Sequence, residues 1–526
     1  MKWVCFLHIY QPPKQSKSVL ERIVNESYRP IFRGLKKIPK AKIVLNINAV
    51  LTEQLYANGY KDVIDDIAFL AKRGQIEFTG SAKYHAFIPL IPKSEAIRQV
   101  KLNNISNKKY FGDLFNPVGF FSPEMSYSPK VAEVAEELGF KWIILDEIAY
   151  NGKLDQVKFD RLYRIKGLDV FSFFREKRTS NLIMGAVVRD AKSISDAILK
   201  ERGSRYLLTA MDGETFGHHR VGLDKVLLDL LADPKIKTML VPELTNYYTK
   251  VEEIEPKDST WASSEKDIAE GNSFNLWFDK DNEIHRKEWE LTSIATRAVN
   301  DSKYALMSLQ FVDEETKEEK EENKDSKESE GIKDILKTAT EEEHIESWNN
   351  ARQLLDIALH SCHYWWASAN PWWSIEMIEE GVFDLWQCVV TVPDAFSKDK
   401  ERAEKLYFGI MLLAHSWQRT GFVKDKVAHL YEWKKIPFKD RAKPGEYEAL
   451  LELLKKEEEK VAKNREYEQA IRWRDAQEKL IKETDVYDAV HVIDQLRQFV
   501  DFKEYKEFVS KYLKEYKFIN SGQPEK

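Results

Sequence analysis

GFFSPEMSYSPKVAEVAEELGFKWIILD, residues 119–146, holds one complete strand–helix–strand unit. The apolar run VGFFS (118–122) stops abruptly at polar, turn-forming residues around Glu124. The helix PKVAEVAEELGF follows. Ser128 is placed to cap it, Pro129 suits its first turn and Gly139 closes it. KWIILD (141–146) is then a second apolar strand. Two strands joined through a helix pair in parallel, with the helix as crossover.

The same alternation extends to both sides. KWVCFLH (2–8), AKIVLNIN (41–48), QIEFTG (75–80), NLIMGAVV (181–188) and RYLLTAM (205–211) read as further strands, with longer mixed segments between them. Their near-continuous apolar character is that of strands covered on both faces. Seven such strands predict a distorted, TIM-like (β/α)7 barrel over residues 1–310. An α-helical C-terminal region is expected behind it. Residues 313–330, DEETKEEKEENKDSKESE, have no apolar residue, so 311–340 reads as a disordered linker or insertion, or as a solvated helix. Residues 341–435 read as a Trp-rich helical region that completes the site, and 436–526 as a charged helical region.

Composition excludes several classes. The chain has 526 residues, 43% hydrophobic and 32% charged, which describes a soluble globular protein with a large core. A net charge of -6 gives no basic field for nucleic acid. No run of 18 apolar residues is present, so no membrane span is expected. MKWVCFLHIYQPP reads as a first strand and not as a signal peptide. Cys5, Cys362 and Cys388 form no pairing pattern, which fits a reducing cytoplasm.

In a parallel barrel the chemistry gathers at the C-terminal strand ends. The residues there are His8, Tyr10 and Gln11; Ser81, Tyr84 and His85; Ser122 and Glu124; Asp146; Arg189 and Asp190; Asp212 and Glu214. Asp146 and Asp190 read as structural. Glu124 and Asp212 stand out, because two carboxyl groups across one pocket are the minimum for cutting a glycosidic bond. Glu214 either raises the proton affinity of Asp212 by like-charge repulsion or serves as a cap or salt-bridge partner. HSCHYWWASANPWWS (360–374) is the densest aromatic cluster. Its Trp365, Trp366, Trp372 and Trp373 suit stacking on pyranose rings or packing a helix–barrel interface; two in each role are expected. Trp277 and His285 are weaker candidates from GNSFNLWFDKDNEIHRKEWEL (271–291).

Five segments in this order resemble glycoside hydrolase family 57. FLHIYQPP (6–13) resembles its first signature, GSAKYHAFIPL (80–90) its second, FFSPEMSYS (120–128) its third and AMDGETFG (210–217) its fourth; 271–291 resembles a further segment. The resemblance spans about residues 2–375 and implies a (β/α)7 barrel, retaining chemistry and mostly α-glucan substrates. It implies Glu124 as nucleophile and Asp212 as general acid/base. His8, Gln11, His85, Glu214, His219 and the Trp residues are expected to bind substrate, with at most one of His218 and His219 facing the pocket. Two signature positions depart: Tyr10 stands where the pattern has a second His, and Ala86 where it has Pro. Related zinc-dependent barrels need an acidic ligand after the first-strand His. Here Ile9 and Tyr10 follow His8, so no metal or cofactor is expected. The expected partner is an oligo- or polysaccharide. The reaction is expected to be hydrolysis or transfer, as in an α-amylase or a 4-α-glucanotransferase. An α-galactosidase or a non-catalytic carbohydrate-binding homologue is the alternative.

Overall fold

The computed structural model describes residues 1–185, 205–305, 332–426 and 446–481, with isolated positions between 191 and 199 and between 507 and 511. Ten strands occur among them: β1 (Lys2–Ile9), β2 (Ile43–Ile47), β3 (Ile76–Gly80), β4 (Gly119–Phe120), β5 (Trp142–Asp146), β6 (Leu162–Ile165), β7 (Phe171–Arg175), β8 (Tyr206–Asp212), β9 (Lys237–Thr238) and β10 (Val251–Ile254). Their order is β10-β6-β7-β5-β4-β3-β2-β1-β8, with β9 against β1. The path β7-β5-β4-β3-β2-β1-β8 is parallel throughout. β6 runs antiparallel to β7 and extends the sheet outward. The sheet curls so that its ends approach: the Glu176 amide donates to the Leu208 carbonyl at 2.8 Å, and Arg175 Nε to the Ala210 carbonyl at 2.8 Å.

The expected barrel of seven parallel strands is therefore present, but one strand is not where the sequence placed it. Residues 181–184 of NLIMGAVV belong to a helix, Lys177–Met184, whose first turn is capped by Glu176 accepting from the Thr179 amide. The seventh strand is β7, FSFFR. A short apolar run does not distinguish a buried helix from a strand by periodicity. Here the preceding cap and the aromatic residues of 171–174 decide the matter. The acidic run 313–330 and residues Arg189 and Asp190 lie outside the described residues.

Strand parity sorts the core. In β1, Val4 and Phe6 point to one buried cluster and Trp3, Cys5, Leu7 and Ile9 to another. In β8, Leu208 and Ala210 face the first cluster and Leu207 and Met211 the second. Side chains alternate along a strand, so His8 and Asp212, directly paired in register, lie on the face of Val4, Phe6 and Ala210. That first cluster continues into the helices Glu283–Asn300, Ile332–Ala358, Ile375–Thr391 and Ser397–Thr420 through Leu291, Leu355, Leu385 and Ile410. Barrel and helical region thus share one core. Residues 446–481 form two helices around their own cluster of Leu450, Leu454, Val461 and Trp473. Among the described residues no helix is long and apolar enough to cross a membrane.

Candidate active site

A cavity of about 630 Å3 opens at the C-terminal ends of the barrel strands. Glu124 reaches it from the turn after β4, where its backbone is left-handed at φ 61. Asp212 is the last residue of β8. Three strands, β3, β2 and β1, stand between β4 and β8, so the two carboxyls belong to separate sectors of one cavity wall. Trp261 Nε1–H donates to Glu124 Oε2 at 2.9 Å, and the Trp261 amide donates to the Glu124 carbonyl at 3.2 Å. Glu124 Oε1 lies 3.8 Å from His85 Nδ1. Burial pushes the Glu124 carboxyl up to about 8. The charge of Asp212 adds to the rise and the Trp261 hydrogen bond opposes it. Burial likewise lifts Asp212 to about 6 against the opposing charge of Arg175.

The histidines form a neutral chain behind Glu124. His8 Nδ1 meets Asn46 Oδ1 at 2.7 Å, His8 Nε2 meets His85 Nε2 at 3.1 Å, and His85 Nδ1 meets Ser361 Oγ at 2.8 Å. With Asn46 Oδ1 as acceptor, His8 carries its proton on Nδ1 and receives the Nε2–H of His85, whose Nδ1 accepts from Ser361. Burial holds His8 down to about 4 and His85 well below its ordinary range, so both rings are uncharged at neutral pH. Tyr10, the departure from the family pattern, stacks on His85 with ring centres 4.2 Å apart and planes 13° apart. Its hydroxyl meets Cys362 Sγ at 3.3 Å.

Glu214 holds the first-strand loop. Its Oε1 accepts from the Tyr10 amide at 3.3 Å, from Gln11 Nε2 at 3.1 Å and from the Tyr28 hydroxyl. Burial and the neighbouring charge of Asp212 raise its carboxyl to about 7. Gln11 lines the same cavity. So do both His218, bound through Nδ1 to Glu26 Oε2 at 2.6 Å, and His219, which corrects the expectation that at most one would. Trp277, Trp365, Trp366 and Trp372 complete the wall.

Of the four clustered indoles expected to divide two and two, three line the cavity and only Trp373 lies elsewhere. Its Nε1–H donates to Gln418 at 3.2 Å and its ring lies 5.9 Å from that of Trp417, so it fastens the 362–374 segment to the helix Ser397–Thr420. His285 is fully buried, accepting from the Asp279 amide and donating to the Tyr364 carbonyl. Asp146 is structural, paired with Arg175 at 2.7 Å. Ser122 bonds Ser126. Sequence reasoning missed Arg175, Trp261 and Asn181, all of which line the cavity. Arg175 ends the strand that the sequence had misplaced. Trp261 follows no strand. Among the described residues no group of three or more His, Cys, Asp and Glu is arranged to hold a metal ion.

Residues 5–257 match the sequence pattern of glycosyl hydrolase family 57. Over 260 residues the chain is 25% identical to alpha-amylase 1 of Dictyoglomus thermophilum, covering 48% of this chain and 37% of that one. It is 25% identical over 215 residues to the 4-alpha-glucanotransferase of Thermococcus litoralis, covering 40% and 32%. The chain thus spans about a third of the length of these curated relatives. The fold is similar to the crystal structure of a GH57 branching enzyme from Thermococcus kodakaraensis, with a TM-score of 0.56 at 15% identity over 77% of this chain and 94% of that one. Residues 5–257, which hold the four strand-end signatures and most of the curled barrel, carry the pattern of glycosyl hydrolase family 57.

Proposed function

We propose that the chain is a retaining glycosidase or transglycosylase acting on α-1,4-linked glucan. The observation that carries this reading is the pair Glu124 and Asp212, brought by two separated strands to one Trp-walled cavity. Glu124 attacks the anomeric carbon as the bond to the leaving oxygen breaks, and Asp212 gives that oxygen its proton. Asp212 then takes a proton from an incoming water or sugar hydroxyl, which displaces Glu124 from the covalent glycosyl-enzyme. Trp261 fixes one oxygen of Glu124 and leaves Oε1 for the attack. Burial of both carboxyls supports the retention of one shared proton near neutral pH. Of the two carboxyls, Glu124 holds the proton more tightly. A glycosidic oxygen accepting from Asp212 draws the proton to that side. The neutral His8–His85 chain and Gln11 are suited to bind hydroxyls, as are the indoles to stack on sugar faces. The free thiols Cys5, Cys362 and Cys388 support a reducing, cytoplasmic setting.

The test is the product pattern from maltooligosaccharides, followed by separation of the two carboxylates. Shorter products alone mean hydrolysis, and a ladder of shorter and longer chains means transfer. Asp212→Asn is expected to lose roughly 10²–10⁴ in rate on an unactivated glycoside and far less on an activated aryl glycoside. Glu124→Gln is expected to abolish both. Equal losses on the two substrates for Asp212→Asn would remove Asp212 from the acid role, leaving Glu214 and His219 to be tested.

A further inference from the structure

Behind the cavity that holds Glu124 and Asp212 lies a buried acid that the proposed mechanism does not use. Glu288, on the helix Glu283–Asn300, is 0% exposed and faces the equally buried His363 of the short helix Cys362–Trp366. Glu288 Oε1 lies 3.4 Å from His363 Nδ1, and His363 Nε2 lies 3.0 Å from the Ala358 carbonyl. Among the described residues, Glu288 Oε2 has no hydrogen-bond partner and no lysine or arginine pairs with the carboxyl. The ring has no room to turn aside. A Cβ on Gly381, in the helix Ile375–Thr391, would stand 2.2 Å from it.

These contacts fix where one proton sits. The Ala358 carbonyl only accepts, so His363 carries hydrogen on Nε2. In an uncharged imidazole Nδ1 is then a bare acceptor facing a carboxyl oxygen, and two acceptors do not hold each other. Glu288 Oε1 therefore supplies the hydrogen. An imidazolium against a carboxylate has the same number of protons, but it leaves a charged oxygen buried without a partner, which is costly. Burial acts in the same sense on each group, raising the Glu288 carboxyl well above its ordinary range and holding His363 down to about 4. The rings against His363, His360 at 5.0 Å and Tyr364 at 3.8 Å between centres, are neutral as well, since burial lowers His360 and raises the Tyr364 hydroxyl.

His363 belongs to the segment that backs the cavity. Ser361, two residues earlier, meets His85 Nδ1 through its hydroxyl at 2.8 Å and donates its amide to the His85 carbonyl at 3.0 Å. Cys362, one residue earlier, meets the Tyr10 hydroxyl at 3.3 Å. His85 in turn stands 3.8 Å from Glu124 Oε1. We propose that Glu288 is a positioning residue acting as a neutral O–H donor: its hydrogen bond fixes the His363 ring, and through it the Ser361 and Cys362 contacts that set His85 and Tyr10 beside Glu124. The inference rests on the reading of Glu124 as nucleophile, since that is what ties this placement to turnover. Glu288 passes no proton to the substrate; its hydrogen has to stay in place.

Two substitutions separate the donor from bulk. Glu288→Gln keeps the length and, through its amide N–H, the donor; Glu288→Met keeps the length and loses the donor. On a maltooligosaccharide, kcat is expected to stay within about 2-fold in Glu288→Gln and to fall roughly 10-fold in Glu288→Met at nearly constant KM, because a small displacement beside the nucleophile suffices for such a loss. An equal fall in both variants would overturn the donor role. The infrared difference between wild type and Glu288→Gln at neutral pH is expected to show the carbonyl band of a protonated carboxyl. Carboxylate bands in its place would overturn the proposal, even if Glu288→Met failed to fold. Nitrogen NMR of histidine-labelled protein reads the placement without turnover: the His85 signal is expected to hold its position in Glu288→Gln and to move in Glu288→Met. An unmoved His85 signal in a folded Glu288→Met protein would overturn the positioning role and leave the glycosidase reading standing. A wild-type protein without turnover on any α-glucan would remove that reading, and the infrared and NMR results would still decide the role of Glu288.

Discussion

At the scale of the residue, burial of the two carboxyls suits the proposed reaction, which needs one proton. A barrel interior penalises charge, and each carboxylate penalises the other. The proposed mechanism requires one ionised and one protonated partner. As pH falls through about 6 the pair gains its second proton and the nucleophile is lost; as pH rises through about 8 it loses its last proton and the acid is lost. The kcat/KM profile is therefore expected to be bell-shaped with its limbs near those values, measured on a maltooligosaccharide. A profile still rising above pH 9 would contradict the shared proton. Cys362 offers a second check. It lines the cavity beside Tyr10, but burial pushes its thiol up to about 12. Thiolate is the reactive form, so iodoacetamide at pH 7.5 is expected to label Cys362 far more slowly than a free exposed cysteine.

At the scale of the element, the loop after β8 depends on one backbone position. Gly217 has φ 110, and a Cβ there would collide with the Glu26 carbonyl. The same loop carries Glu214, His218 and His219, and Glu26 is the partner of His218. Gly217→Ala is expected to cost about 1–3 kcal/mol of stability from strain alone, read by urea unfolding, with kcat/KM falling in parallel. A second element-scale feature joins helix Lys93–Phe111 to helix Ile332–Ala358. Arg352 donates to Glu95 at 2.7 Å and to Asp356 at 3.1 Å, and Arg98 donates to Asp356 at 2.7 Å. Glu95, Arg352 and Asp356 are all buried. Arg352→Met leaves Glu95 without its buried cation, and about 3–5 kcal/mol of destabilisation is expected. A loss below 1 kcal/mol would mean that water reaches the carboxylates.

At the scale of the molecule, the wall of the proposed active site and the apolar core cross the same boundary. Both carboxylates lie in the barrel, but Cys362, Trp365, Trp366 and Trp372 come from the helical region. The core cluster running through both makes that region part of the barrel's own burial. A chain ending at residue 305 is expected to aggregate, although it retains Glu124 and Asp212. Residues 446–481 keep a core of their own, so removing 446–526 is expected to leave turnover and the main melting transition close to those of the full chain.

Local sequence was sufficient for what depends on local periodicity and turn chemistry. The strand–helix–strand unit at 119–146 was legible because Pro129 and Gly139 mark its helix and both strands are apolar throughout; Ser128 occupies the N-cap position, but its side chain makes no capping hydrogen bond. Glu124 and Asp212 were legible because each interrupts an apolar run at its C-terminal end. The strand at 171–175 was not, because a five-residue aromatic run carries no period that separates helix from strand; with it went Arg175. Trp261 was hidden for a different reason: its hydrogen bond to Glu124 spans 137 positions and follows no strand. Which tryptophans face the cavity was also beyond the sequence, since Trp372 and Trp373 are adjacent and chemically identical. Only the packing of the 362–374 segment against the barrel turns the first toward the catalytic cavity and the second toward Trp417.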